Sequence, residues 1–169
     1  MFNEKVKAGG VFTVQCHDKD GNLKWQAEKH NLVVNVGLKD MNDKYFTGSS
    51  YTAAWYIGLY GAGASNTPAA TDTLSSHAGW TEITPYSGNR PAVTFASATN
   101  ANPSVVTNSA SKAQFTMNAT ATVGGAFLCS AASGTTGTLF SAADFSSPGD
   151  RSVVSGDVLS VTYTFSLSA

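Results

Sequence analysis

From Gly10 to Cys16 the chain reads Gly-Val-Phe-Thr-Val-Gln-Cys, a run of β-branched and aromatic side chains that predicts a strand. His17-Asp18-Lys19-Asp20-Gly21-Asn22 follows as a turn, and Leu23 to Ala27 resumes alternation, so the Asp-Gly pair marks a hairpin whose second strand runs to about Lys29. Between Asn35 and Phe46 the period changes: Leu38, Met41 and Tyr45 recur at helical spacing while Lys39, Asp40, Asp43 and Lys44 take the other face. Asn35 is the expected N-cap, and Gly48 stands where a left-handed C-terminal residue belongs.

Beyond Thr47 the pattern is β throughout. Ala54-Trp55-Tyr56-Ile57-Gly58-Leu59-Tyr60 is apolar without alternation, the mark of a central strand buried on both faces. Residues 61–79 form a long Gly/Ala/Ser/Thr-rich loop, expected to bind something or to be ordered by a partner. Trp80 to Ile83 precedes a second irregular stretch, Thr84 to Pro91, in which two prolines flank a turn. Further strands are expected at Ala92–Ala96, Lys112–Met117, Gly124–Ser130 and Asp157–Leu167. In the last, Leu159, Val161, Tyr163, Phe165 and Leu167 alternate with Ser160, Thr162, Thr164 and Ser166, giving one apolar and one hydroxyl-bearing face. Roughly seven or eight strands with a single early helix predict an all-β fold, a jelly-roll-like antiparallel β-sandwich. It divides into a polar arm over residues 1–9 and one domain over 10–169.

Charge is distributed unevenly. Of 21 charged residues, 13 fall in the first 44 positions, and the following 125 carry eight among Ser, Thr, Ala, Gly and Asn. The hairpin turn and the helix account for much of the charged front. The neutral body differs from the charged surface usual in a free-standing enzyme and suits packing against neighbours. With 10 basic and 11 acidic residues there is no positive excess to attract nucleic acid. The longest apolar-rich stretches, such as Tyr51 to Gly63, fall short of a membrane span, and Met1 to Lys7 lacks the apolar core of a secretion signal. Cys16 and Cys129 are accordingly expected as buried, reduced thiols.

Candidate chemistry is sparse. His17, His30 and His77 have no short ligand spacing to one another or to a cysteine pair, so no metal or cofactor is expected. No serine sits in a Gly-x-Ser-x-Gly elbow, and Gly61-x-Gly63 lacks the rest of a dinucleotide fingerprint. The acids of the body, among them Asp72, Asp150 and Asp157, read as solvated turn residues bonded to their own backbone. The expectation is a protein that is not an enzyme. Trp55, Tyr56 and Tyr60 read as core, while Tyr86 and Arg90, in the Pro-bounded loop, are candidates for contact with another chain.

Several blocks together carry a family resemblance: Asn35-Val36-Gly37-Leu38-Lys39-Asp40-Met41, Ala54 to Leu59, His77 to Glu82, Tyr86 to Pro91, Thr122 to Leu128, Gly134 to Leu139, and Ser155 to Val161. Across residues 30–167 the chain resembles small structural proteins of tailed-bacteriophage virions. The resemblance implies a capsid cement or decoration protein on the outer surface of the virion, made in the host bacterial cytoplasm. Its expected partners are the major capsid protein and copies of itself, as dimer or trimer, with no nucleic acid and no membrane. Alternatives are a tail or tail-fibre-associated attachment protein, and a carbohydrate-binding module using Trp25 or Trp80. No catalytic residue comes with the family. The expected contact residues are Phe2, Lys5 and Lys7 in the arm, Ser65 in the long loop, and Tyr86, Asn89 and Arg90.

Overall fold

The computed structural model describes residues 5–48, 50–61, 67–145 and 149–169. Two antiparallel sheets face each other as a sandwich. One sheet holds β1 (Lys7–His17), β2 (Leu23–His30), β7 (Ser104–Thr107), β8 (Ala113–Thr116) and β12 (Val158–Ser168). The other holds β3 (Leu32–Val33), β4 (Trp55–Gly61), β5 (Glu82–Ile83), β6 (Ala92–Val93), β9 (Ala121–Cys129), β10 (Leu139–Asp144) and β11 (Arg151–Val153). In the five-stranded sheet the order is β2-β1-β12, with β7 and β8 in succession along the far edge of β12. In the seven-stranded sheet β9 and β4 are central, with β10 and β11 along one edge of β9 and β5 and β6 along the far edge of β4.

The first and last strands are neighbours. β1 pairs with β12 without a break from Lys7 opposite Ser168 to His17 opposite Val158. Three residues assigned to the arm, Lys7 to Gly9, therefore belong to the sheet, because the C-terminal end of β12 offers them an unbroken ladder. The Asp-Gly hairpin forms as read: Gly21 donates to Asp18 O at 3.0 Å, and the Asp18 carboxylate accepts the N–H groups of Asp20 and Asn22 at 2.9 Å each.

The sheets differ in how they are covered. Phe12, Val14, Ile57, Leu59, Phe115, Leu128 and Val161 meet in the core between them. On β4 and β9 the alternate residues, Tyr60, Phe127 and Cys129, form a second buried cluster on the outer side of the seven-stranded sheet, with Val34, Leu74 and Trp80. β4 is apolar on both faces because one face meets the opposite sheet and the other lies beneath a cover. That cover is the start of the helix and residues 67–80. The long loop expected to await a partner is thus folded onto its own domain from Thr67 onward, and Ser65 lies outside the described residues.

The helix, α1 (Asn35–Phe46), has the expected bounds but a different orientation. Val34, not Asn35, is the N-cap, and no side chain caps the end. Val34 N donates to Phe140 O at 3.1 Å and Asn35 N to Ala70 O at 2.8 Å, so backbone pairing with β10 and the cover replaces the cap. The buried stripe is Val34, Gly37 and part of Met41; Leu38 and Tyr45, expected inward, are 42% and 81% exposed, and Phe46 beside them is 76% exposed. The cause is Gly37. Its missing side chain lets the helix backbone rest on the backbone of Phe140, which rotates the Leu38–Tyr45 stripe outward. Gly48 adopts the left-handed conformation at φ 64° that ends the helix.

Glycine in a helix interior is ordinarily about 1 kcal/mol worse than alanine. Here the sign is reversed, because a Cβ at position 37 would overlap the carbonyl oxygen of Phe140. Gly37→Ala is expected to lower stability by about 1–3 kcal/mol in urea unfolding, the range for overpacking, where a helix free of this contact would gain.

Candidate interaction surface

The outer face of the five-stranded sheet has no cover among the described residues, and its register places polar side chains in rows. Gln26, Gln15, Ser160 and Gln114 stand side by side across β2, β1, β12 and β8. Glu28, Thr13 and Thr162 form the next row, and His30, Val11, Thr164 and Thr107 the one after. These rows arise because the inward positions of the same strands, such as Phe12, Val14, Leu159, Val161 and Tyr163, are all fully buried.

The rows are knitted together. Gln15 Nε2 donates to Gln26 Oε1 at 3.0 Å, Lys112 Nζ donates to Gln15 Oε1 at 2.9 Å, and the hydroxyls of Thr107 and Thr164 are 3.0 Å apart. The result is a pleated, mostly neutral surface rich in hydroxyl and amide groups, with Lys7, His17, Glu28, His30 and Lys112 among its titratable members. Such groups hydrogen-bond across an interface with far less desolvation cost than charges.

The residues singled out from the sequence do not gather at one place. Phe2 lies outside the described residues, as Ser65 does; Lys5 and Lys7 are exposed, the latter at the start of β1. Asn89 is exposed in the Pro-bounded loop. Tyr86 and Arg90 from the same loop are each only 5% exposed, which corrects their reading as contact side chains. Arg90 uses all five N–H donors inside the domain. Nε and Nη2 bind the Glu82 carboxylate at 2.7 and 2.6 Å, Nη1 binds Ala131 O at 2.8 Å and Cys129 Sγ at 3.6 Å, and Nη2 also binds Gly134 O at 2.8 Å. The guanidinium lies over the Phe127 ring, 5.2 Å from its centroid. The Tyr86 ring meets Phe115 edge-on at 4.8 Å, and burial, then the nearby Glu82 charge, push its hydroxyl up to about 12.

Two acids expected in solvent are buried, although they do bind backbone as expected. Asp72, 7% exposed, accepts Ala69 N at 2.9 Å and the Trp80 indole N–H at 3.1 Å, and His77 stacks on that indole at 3.7 Å. Trp80 itself is 4% exposed and cannot serve as a sugar-stacking platform. Asp157, 2% exposed, accepts Val154 N at 2.9 Å and Lys24 Nζ at 2.5 Å, with Cys16 Sγ 3.8 Å away. This last cluster joins residues more than a hundred positions apart and leaves no mark in local sequence.

Neither cysteine is bonded to another, and both are buried. Burial, then the Asp157 charge, push the Cys16 thiol up to about 11, and burial raises Cys129, so both stay protonated and unreactive at neutral pH. Among the described residues no three His, Cys, Asp or Glu side chains converge as metal ligands. Among them, too, no helix is long and apolar enough to cross a membrane. No family model, curated protein or solved structure matches the chain.

Two measurements probe these anchors. Arg90→Ala leaves Glu82 without its partner and two carbonyls bare, and is expected to cost about 3 kcal/mol in urea unfolding. Arg90→Lys should recover little of that loss, because an ammonium cannot reproduce the fork. For Asp157, burial opposes the charged form, but the Lys24 bond, the Val154 N–H and the Lys24 charge outweigh it and hold the carboxyl below its ordinary value. A folded-state pKa below the unfolded one adds stability above about pH 4, and that stability is lost as pH falls through the folded value. Lys24→Met should therefore cost about 2 kcal/mol at pH 7, with the gap to the native protein narrowing as unfolding is measured at progressively lower pH below about 4.

Proposed function

We propose that the protein is a structural component of a tailed-bacteriophage virion that cements or decorates the capsid by bridging neighbouring subunits of the major capsid protein. The observation that carries this reading is the uncovered outer face of the five-stranded sheet, with Thr13, Gln15, Gln114, Thr162 and Thr164 in register across three strands. A cement protein holds junctions that symmetry repeats, through many weak contacts in a fixed pattern instead of one deep pocket. A broad neutral sheet face supplies contacts of that kind. The resemblance of residues 30–167 to phage virion proteins supports the same reading.

Exposed apolar side chains on α1, which packs against the seven-stranded sheet, add separate anchoring points. Tyr45 and Phe46 stand edge-to-face at 4.8 Å at the end of α1, with Leu38 about two turns earlier, also exposed. In this reading the charged pairs of the helix, Lys39–Asp43 and Asp40–Lys44, neutralise each other and leave the surrounding surface without net charge.

A charge placed on the sheet face tests the assignment. Thr162→Arg and Thr13→Arg put an unpaired cation where a neutral contact is expected, at a half-buried outward position that leaves the core intact. Both variants should melt like the native protein yet occupy purified phage heads at least about tenfold less, the consequence of losing some 1.4 kcal/mol or more per site. Full occupancy by both variants, or native protein found on tails and absent from heads, would contradict the reading.

A further inference from the structure

Between the two sheets, in the space lined by Trp55 of β4 and Val106 of β7, the core does not close. A cavity of about 220 Å³ remains there. Leu128, Phe140 and Tyr163 line its buried end, and the half-buried Trp55, Phe95 and Phe165 line its open end. We propose that this cavity is a binding site for a small molecule consisting of one uncharged aromatic ring with at most a short alkyl substituent.

Size and chemistry select that ligand. A cavity of about 150 Å³ lined by aliphatic and aromatic side chains stays dry and takes benzene, so this one has room for a ring and a methyl or ethyl group. Drug-sized ligands, which fill about 300 Å³ or more, would project from its open end into solvent. The lining offers no hydrogen bond. The Tyr163 hydroxyl is engaged by Asn31 Nδ2 at 2.8 Å and Ser141 Oγ at 3.2 Å, and the Trp55 side chain bonds Tyr51. A hydroxyl, amide or charge on the ligand would therefore enter without a partner, at a cost that an apolar ring avoids.

The rings already present define how a further ring packs. Trp55 meets Phe140 edge-on at 5.4 Å, Phe140 meets Phe165 edge-on at 5.3 Å, and Phe95 meets Tyr163 edge-on at 6.2 Å. A further ring added among them has the edge-to-face packing available that aromatic groups favour. An aliphatic side chain from the domain could have filled the gap; β10 instead carries a register shift between Leu139 and Ser141, which sets the position of Phe140 at the wall.

The site is independent of the sheet face proposed to contact other chains, and its test uses the isolated protein with toluene as the probe. Calorimetric unfolding at increasing toluene should show a saturable rise of roughly 5 °C as the probe passes well above its Kd, together with a change in tryptophan emission from Trp55. Phenol, similar in size but carrying a hydroxyl, should bind at least about tenfold more weakly. Val106→Trp, on the cavity lining, fills the space and should abolish the shift; Val106→Phe serves if the larger ring prevents folding. An unchanged melting temperature for the native protein with toluene near its solubility, or an equal shift in the filled variant, overturns the proposal.

Discussion

The strict alternation of β12 is the constraint on which the domain depends. Its inward residues Leu159, Val161 and Tyr163 are fully buried and its outward ones from Ser160 onward are Ser or Thr, while three other strands hydrogen-bond to its two edges. A slip of one residue would turn every hydroxyl into the core and every large apolar side chain outward, so the pattern fixes the register of β1, β7 and β8 together. Tyr163 extends that control to the opposite sheet, because its hydroxyl contacts Ser141 on β10 and Asn31 at the crossing from β2 to β3. The same eleven residues therefore organise the core and the surface from which the function is inferred.

The asymmetry between the sheets gives that surface its meaning. The seven-stranded sheet is packed on both sides, once by its partner sheet and once by the helix start and residues 67–80. The five-stranded sheet is packed on one. Arg90 and Asp157, among the few charges of the body, are used inside the domain, as pins that tie loops to strands.

Where a segment carries its own period or turn chemistry, the fold was legible in the sequence. The Asp-Gly hairpin, the bounds of α1, the central position of β4 and both faces of β12 follow from such local signals. What failed depended on distant partners. β10, Leu-Phe-Ser-Ala-Ala-Asp, shows no alternation because it is buried along most of its length, and β11 is three residues long. The helix turned its expected core stripe outward because Gly37 makes the closer contact. Tyr86 and Arg90 looked like surface residues because prolines flank their loop, yet the groups that bind Arg90 lie 8, 41 and 44 positions away. For the interaction surface, only the hydroxyl face of β12 was legible; the matching rows on β1, β2 and β8 required the register.

The most direct test of the central claim is a reconstruction of the assembled particle at a resolution that traces β12. The account predicts the chain on the capsid, with Thr13, Gln15, Gln114 and Thr162 buried against a neighbouring subunit. A particle in which this sheet face is open to solvent and the chain is held only by other surfaces would contradict it.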